Sequence, residues 1–117
     1  MRKVTIHSGG KKIKILAREC NLLQKGIGLM FSKKEKAKIL LFQFNKKQKI
    51  MIHSFFVFYP FLAVWLDNRG KIVDMKTIDP FIAHISHKGL ATSLVEIPIN
   101  RKNKKITKTL TKSRRGN

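Results

Sequence analysis

Residues 50–66, IMIHSFFVFYPFLAVWL, are the most apolar stretch of the chain and hold its single tryptophan, Trp65. A run like this either crosses a bilayer or lies in a protein core. A spanning helix needs about 20 apolar residues, and this run carries His53 and Ser54 near its start and Pro60 in its middle. It is therefore expected in a core, with no membrane span. Residues 55–59 and 61–66 are apolar at both parities, the pattern of strands covered on both faces. Pro60 cannot donate to a ladder, so it marks a bend or a strand end between them.

The flanking segments read as short strands with turns between them. Residues 3–7 and 12–16 alternate, with Val4, Ile6, Ile13 and Ile15 inward, across a Ser-Gly-Gly-Lys turn. Residues 18–25 lack β-branched side chains and end at Gly26, which predicts one short helix. Leu29, Met30 and Phe31 follow as an apolar, core-facing segment. Residues 32–38 are a charged surface connection. Leu40, Phe42 and Phe44 share one strand face, 45–48 form a polar turn, and Ile50 and Ile52 begin the next strand. Asp67-Asn68-Arg69-Gly70 is a turn signal leading into a partner strand over 71–78. Asp79-Pro80 ends that strand, and 81–90 is a long loop. Residues 92–99 are the last clear strand, which Pro98 places at a sheet edge. This pattern predicts a mainly β, single-domain β-sandwich or jelly-roll-like barrel over residues 1–100. Residues 101–117 form a basic C-terminal segment, with a weak strand over 105–110 and a frayed tail after it.

Composition narrows the function. A hydrophobic fraction of 43% excludes a disordered chain. Lys plus Arg number 26 against 6 acids, a formal net charge of +20, which favours non-specific binding of polyanions at low salt. Lysine dominates that charge, with isoleucine and asparagine also common, so codon bias toward solvated lysine faces is the competing explanation. One cysteine, Cys20, rules out an intramolecular disulfide. The N-terminal residues contain no apolar run of signal-peptide length, so a cytoplasmic location is expected.

Several blocks resemble a known family. They are Gly28-Leu29-Met30-Phe31, the segment from Ile52 to Pro60, Trp65-Leu66-Asp67, Gly70-Lys71-Ile72-Val73, Asp79-Pro80-Phe81 and Leu94-Val95-Glu96-Ile97-Pro98. In this order they are similar to the domain-of-unknown-function family 192 of bacteria and archaea, over about residues 15–100. The resemblance implies a compact, mainly β, jelly-roll-like fold and implies no reaction. This chain departs from the family pattern at Leu62, where relatives tend to carry Asp, and at Ile52-His53-Ser54-Phe55, where a Met-Lys-Asn-Thr block is usual. It departs again at Asn100, where glycine is common.

Candidate chemistry is sparse. His53 and Ser54 are neighbours, so on a strand they face opposite sides and form no dyad with each other. His84 and His87 lack further ligands nearby, so no metal and no cofactor are expected. Asp67 is expected to cap its turn. Glu96 faces opposite Val95 and Ile97, and a neighbouring lysine is expected to neutralise it. The expected function is a non-catalytic binding module for a ligand or protein partner, with His53, Met30 and Trp65 as contact residues. One alternative is a nucleic-acid-associated protein using Arg101, Lys102, Lys104, Lys105, Arg114 and Arg115. A second is a hydrolase using His53 or His84 with Asp67, Asp74 or Asp79.

Overall fold

A computed structural model describes residues 1–20, 29 and 32–115. The chain runs β1 (Arg2–Ser8), β2 (Lys11–Cys20), β3 (Leu40–Gln48), β4 (Phe61–Leu66), β5 (Ile72–Ile78), β6 (Ala91–Pro98) and α1 (Lys104–Arg115). The strands form one six-stranded sheet in the order β1-β2-β3-β6-β4-β5. Only β2 and β3 run parallel; the other neighbours are antiparallel. The sheet curls into a half-barrel. Its two edges approach each other where His7 of β1 bridges to Lys71 at the start of β5.

Curling gives the sheet an inside and an outside, each with its own apolar cluster. Inside lie Ile6, Ile15, Ala17, Leu41, Leu62, Val64, Leu66, Val95 and Ile97, capped by Leu110 of α1. Outside lie Leu40, Phe42, Phe61, Ala63, Trp65 and Leu94, covered by Ala37, Ile50, Val57, Tyr59 and Ile85 from the connecting loops. β4 therefore faces apolar neighbours at both parities, and all six of its residues are buried. Leu62 sits in the inner cluster, paired with Ile97 of β6. Its apolar character suits that position.

Several expected elements form differently. Arg18, Glu19 and Cys20 belong to β2 and not to a helix, because their backbones pair with Leu40, Leu41 and Phe42. Residues 21–25 of the expected helix lie outside the described residues. Residues 45–48 continue β3 instead of turning. Pro98 ends β6, but β6 is an interior strand between β3 and β4, and the proline stands at the last ladder position. The 105–110 segment is helical, within α1, not a strand. Ile106 and Leu110 lie one turn apart and dock into the inner cluster. Asn100 and Asn103 fasten the helix: the Asn103 amide donates to Asn100 Oδ1 at 3.0 Å and Asn103 Nδ2 donates to the Pro98 carbonyl at 2.9 Å. Asn100 Nδ2 reaches the Lys34 carbonyl, a set of bonds that a glycine at this position would not make.

Candidate functional site

The largest departure from expectation lies in residues 50–60. They form no ladder strand; a single bridge joins Ile52 to Ile85. Side chains replace the missing ladder. The Ile50 amide donates to His87 Nε2 at 2.8 Å, and the Ile50 carbonyl accepts from Trp65 Nε1 at 3.0 Å. His87 Nδ1 faces the Lys88 carbonyl at 2.9 Å, so the ring carries its proton there and accepts at Nε2. The buried imidazole stacks on Trp65 at 4.8 Å. Asp74 holds the far loop by accepting from the Met75 and Lys88 amides.

Ser54 ties the two loops together. Fully buried, it donates its hydroxyl to the Asp79 carbonyl and accepts from the Ile82 amide, each at 2.7 Å. Its backbone amide reaches the Ile82 carbonyl, and its carbonyl accepts from Val57 and Phe81. A serine inside an aromatic run is thus a structural knot, not a nucleophile.

This knot throws aromatic rings outward. Phe58 is 58% exposed, Phe81 55% and Phe56 49%, with Phe55, Ile82, Met51 and Leu90 exposed around them. Phe58 and Phe81 meet edge to face at 5.4 Å, and Phe55 lies 5.6 Å from His53 and 6.5 Å from Phe56. Phe56 and Phe81 also hold left-handed backbones, φ 59° and 64°, which cost a bulky L-residue on the order of 1–3 kcal/mol each. The expectation that Phe55, Phe56 and Phe58 fill a core fails, because burial would return about 1.5–3 kcal/mol apiece and these rings forgo much of it; Phe81 lies in the expected loop.

His53 is half-buried at the margin of this surface, and its Nδ1 accepts from the Phe55 amide at 3.2 Å. Trp65, by contrast, is fully buried with its N–H spent on Ile50. Met30 lies outside the described residues. His84 is exposed while His87 is buried, so the two do not share a site. Asp67 caps its turn as expected, with Oδ1 accepting from Arg69 and Lys71. Among the described residues no three of His, Cys, Asp and Glu gather as a metal site.

A second polar set sits on the outer face of the sheet. Glu96 is buried in a ladder row between Leu40 and Ala63. Burial pushes its carboxyl up to about 8. It is therefore neutralised by its own proton at neutral pH and not by a lysine beside it, because its row neighbours are apolar. Burial also raises the Cys20 thiol, against an opposing pull from Arg18, and raises the Tyr59 hydroxyl, which shares a hydrogen bond with Ser32 Oγ. A thiol with raised pKa is a poor nucleophile.

The basic residues coat the molecule. An exposed ion pair joins Arg2 to Glu19. Arg101, Lys102, Lys104 and Lys105 are exposed, and Lys104, Lys108 and Lys112 share one row of α1. The side chains of Arg114 and Arg115 lie outside the described residues.

The profile of the DUF192 family, Uncharacterized ACR, matches residues 4–109. The chain belongs to the DUF192 family. This DUF192 chain is 27% identical over 78 residues to the UPF0127 protein PH1112 of Pyrococcus horikoshii, covering 67% of each chain. Its fold is similar to that of a proposed transcription regulator from Sinorhizobium meliloti 1021, with TM-score 0.72 and 16% identity over 90% of this chain and 84% of that one. A protein of unknown function from Novosphingobium aromaticivorans DSM 12444 gives TM-score 0.70 and 11% identity over 90% and 76%. At these identities the likeness concerns the fold.

Proposed function

We propose that this DUF192 protein is a non-catalytic binding module whose docking face is the aromatic loop pair around Phe55, Phe56, Phe58 and Phe81. One observation carries this reading: two exposed phenylalanines sit on left-handed backbones locked by Ser54. Such an arrangement lowers stability, and exposed apolar patches of this kind on a folded chain mark interaction sites. Lys49, Lys76 and Lys88 lie in or beside the same loops, with Lys49 and Lys76 anchored on the His87 and Ser86 carbonyls. The face thus has an apolar centre and a cationic rim, the complement of a protein surface with an apolar centre and an acidic rim. The ring of His53 is turned to the backbone, its Nδ1 accepting from the Phe55 amide, an arrangement of a structural histidine.

A photo-crosslinking amino acid placed at Phe58, and separately at Lys108 as a control, tests this in cells that express the protein. The expected result is an adduct with one recurrent partner from position 58 alone. Binding of that purified partner then weakens at least tenfold with Phe58→Ala, as for an interface hot spot. Equal adducts from both positions, or none, refute the docking face.

The α1 row of Lys104, Lys108 and Lys112, continued by Arg101, favours a second reading as a polyanion-binding surface. Affinity for mixed-sequence RNA would then fall steeply with rising salt and drop when that row is neutralised. Binding indifferent to the row would leave only the generic charge.

A further inference from the structure

The two edges of the curled sheet meet at a seam, and the seam is basic. His7 on β1 pairs in register with Lys12 on β2 and bridges on its other side to Lys71. Residues paired across neighbouring strands point to the same face, with Cβ atoms about 5 Å apart. Lys12, His7 and Lys71 therefore form one row across three strands. That row lies on the outer face, because Ile6 and Ile72 on either side of it pack into the inner cluster. Lys14, opposite Thr5, extends the same face.

The backbone closes this seam deliberately. The His7 amide donates to the Gly70 carbonyl at 2.8 Å. Gly70 has φ +80°, and a Cβ there would stand 2.5 Å from the Thr5 carbonyl oxygen. Only glycine lets the β4–β5 turn approach β1 this closely. On the other side, Gly9 and Gly10 make the two-residue hairpin turn at positive φ, outside the ladder. Between the two turns opens a cleft of about 470 Å³ lined by His7, Gly9, Gly10, Lys11, Lys12 and Lys71 among others, with no acid in its lining. That volume is in the range of small-ligand sites. The acids nearest Lys71 in sequence are Asp74, which accepts from the Met75 and Lys88 amides, and Asp67, which accepts from the backbone of its own turn.

We infer that this seam between β1 and β5 is a binding site for a phosphate group. A phosphate over His7 lies about one strand spacing from each flanking lysine stem, within reach of both ammonium groups. Lysine serves there as a point charge, and the imidazole adds a hydrogen bond. Without an anion, cationic side chains in one row repel each other. The phosphate belongs either to a small free anion or to a nucleic-acid backbone.

Amide chemical shifts of the full chain, titrated with inorganic pyrophosphate and separately with a short oligothymidylate at about 0.15 M salt, test the site. The expected result is saturable shifts at Gly9 and Gly10, with affinity falling at least tenfold in the Lys12→Gln/Lys71→Gln variant. A Lys36→Gln/Lys38→Gln variant with the same charge change, away from both the seam and the α1 row, should bind as the parent does. Loss confined to pyrophosphate assigns a free phosphate ligand; loss with the oligonucleotide assigns a nucleic-acid backbone. Equal loss in both variants, or no saturable shift with either probe, overturns the site. All the substituted lysines are exposed, and a matching unfolding midpoint establishes that both variants fold.

Discussion

Glu96 sits between Leu40 and Ala63 on an interior strand, and its proton is what makes that position tolerable. The carboxyl titrates near its ordinary 4.5 in the unfolded chain and at about 8 in the folded one. Below the lower value both states are protonated and the contribution to stability is complete. As pH rises toward 8 the unfolded chain ionises first, and stability falls by roughly 1.4 kcal/mol per unit of separation, a few kcal/mol in all. Glu96→Gln should therefore match the parent in urea midpoint near the lower value and exceed it above pH 8. Parallel profiles for the two proteins would contradict the assignment. Alternation in the sequence already put Glu96 opposite Val95 and Ile97. What neutralises it was not legible, because its neighbours come from strands far away in the chain. Ser54 and His87 were obscure for the same reason: their partners, Asp79, Ile82 and Ile50, are set by how two loops meet.

At the scale of elements, the hairpins were the legible part. Alternation and turn residues located β1 with β2 and β4 with β5, since each pair is local in sequence and its turn chemistry is explicit. β4 was recognisable as a strand covered on both faces. Residues 50–60 were not, because an apolar run looks the same whether it pairs in a sheet or wraps over one. The positive φ of Phe56 accompanies the Ser54 knot, which hydropathy does not encode. The helix α1 was hidden by its lysines and threonines; its signal was the spacing of Ile106 and Leu110 behind Asn103. Leu110 is fully buried against the inner cluster, so Leu110→Ala should lose about 2–5 kcal/mol of unfolding free energy. A change under about 0.5 kcal/mol, as for a surface substitution, would mean that the helix does not cap the half-barrel.

Taken whole, the molecule is a half-barrel with a plugged interior and a partly clothed exterior. The interior belongs to stability: strands from both halves of the chain and α1 fill it. Over the exterior, loops bury Trp65 and Phe61 while turning a cluster of phenylalanines to solvent. The candidate contact His53 falls at the edge of that cluster and Trp65 falls beneath it, so only the first stands at the surface. The chain carries a net charge of +20, and on the proposed docking face its cations would select against basic partners. The central claim is that Phe56 and Phe81 are kept for contact and not for folding. Chemical unfolding of Phe56→Gly and Phe81→Gly tests it without knowledge of the partner. Glycine relieves the left-handed strain and gives up a half-exposed ring, so each variant should unfold within about 1 kcal/mol of the parent, or above it. Losses of about 3 kcal/mol or more in both, the range of core phenylalanines, would contradict the claim.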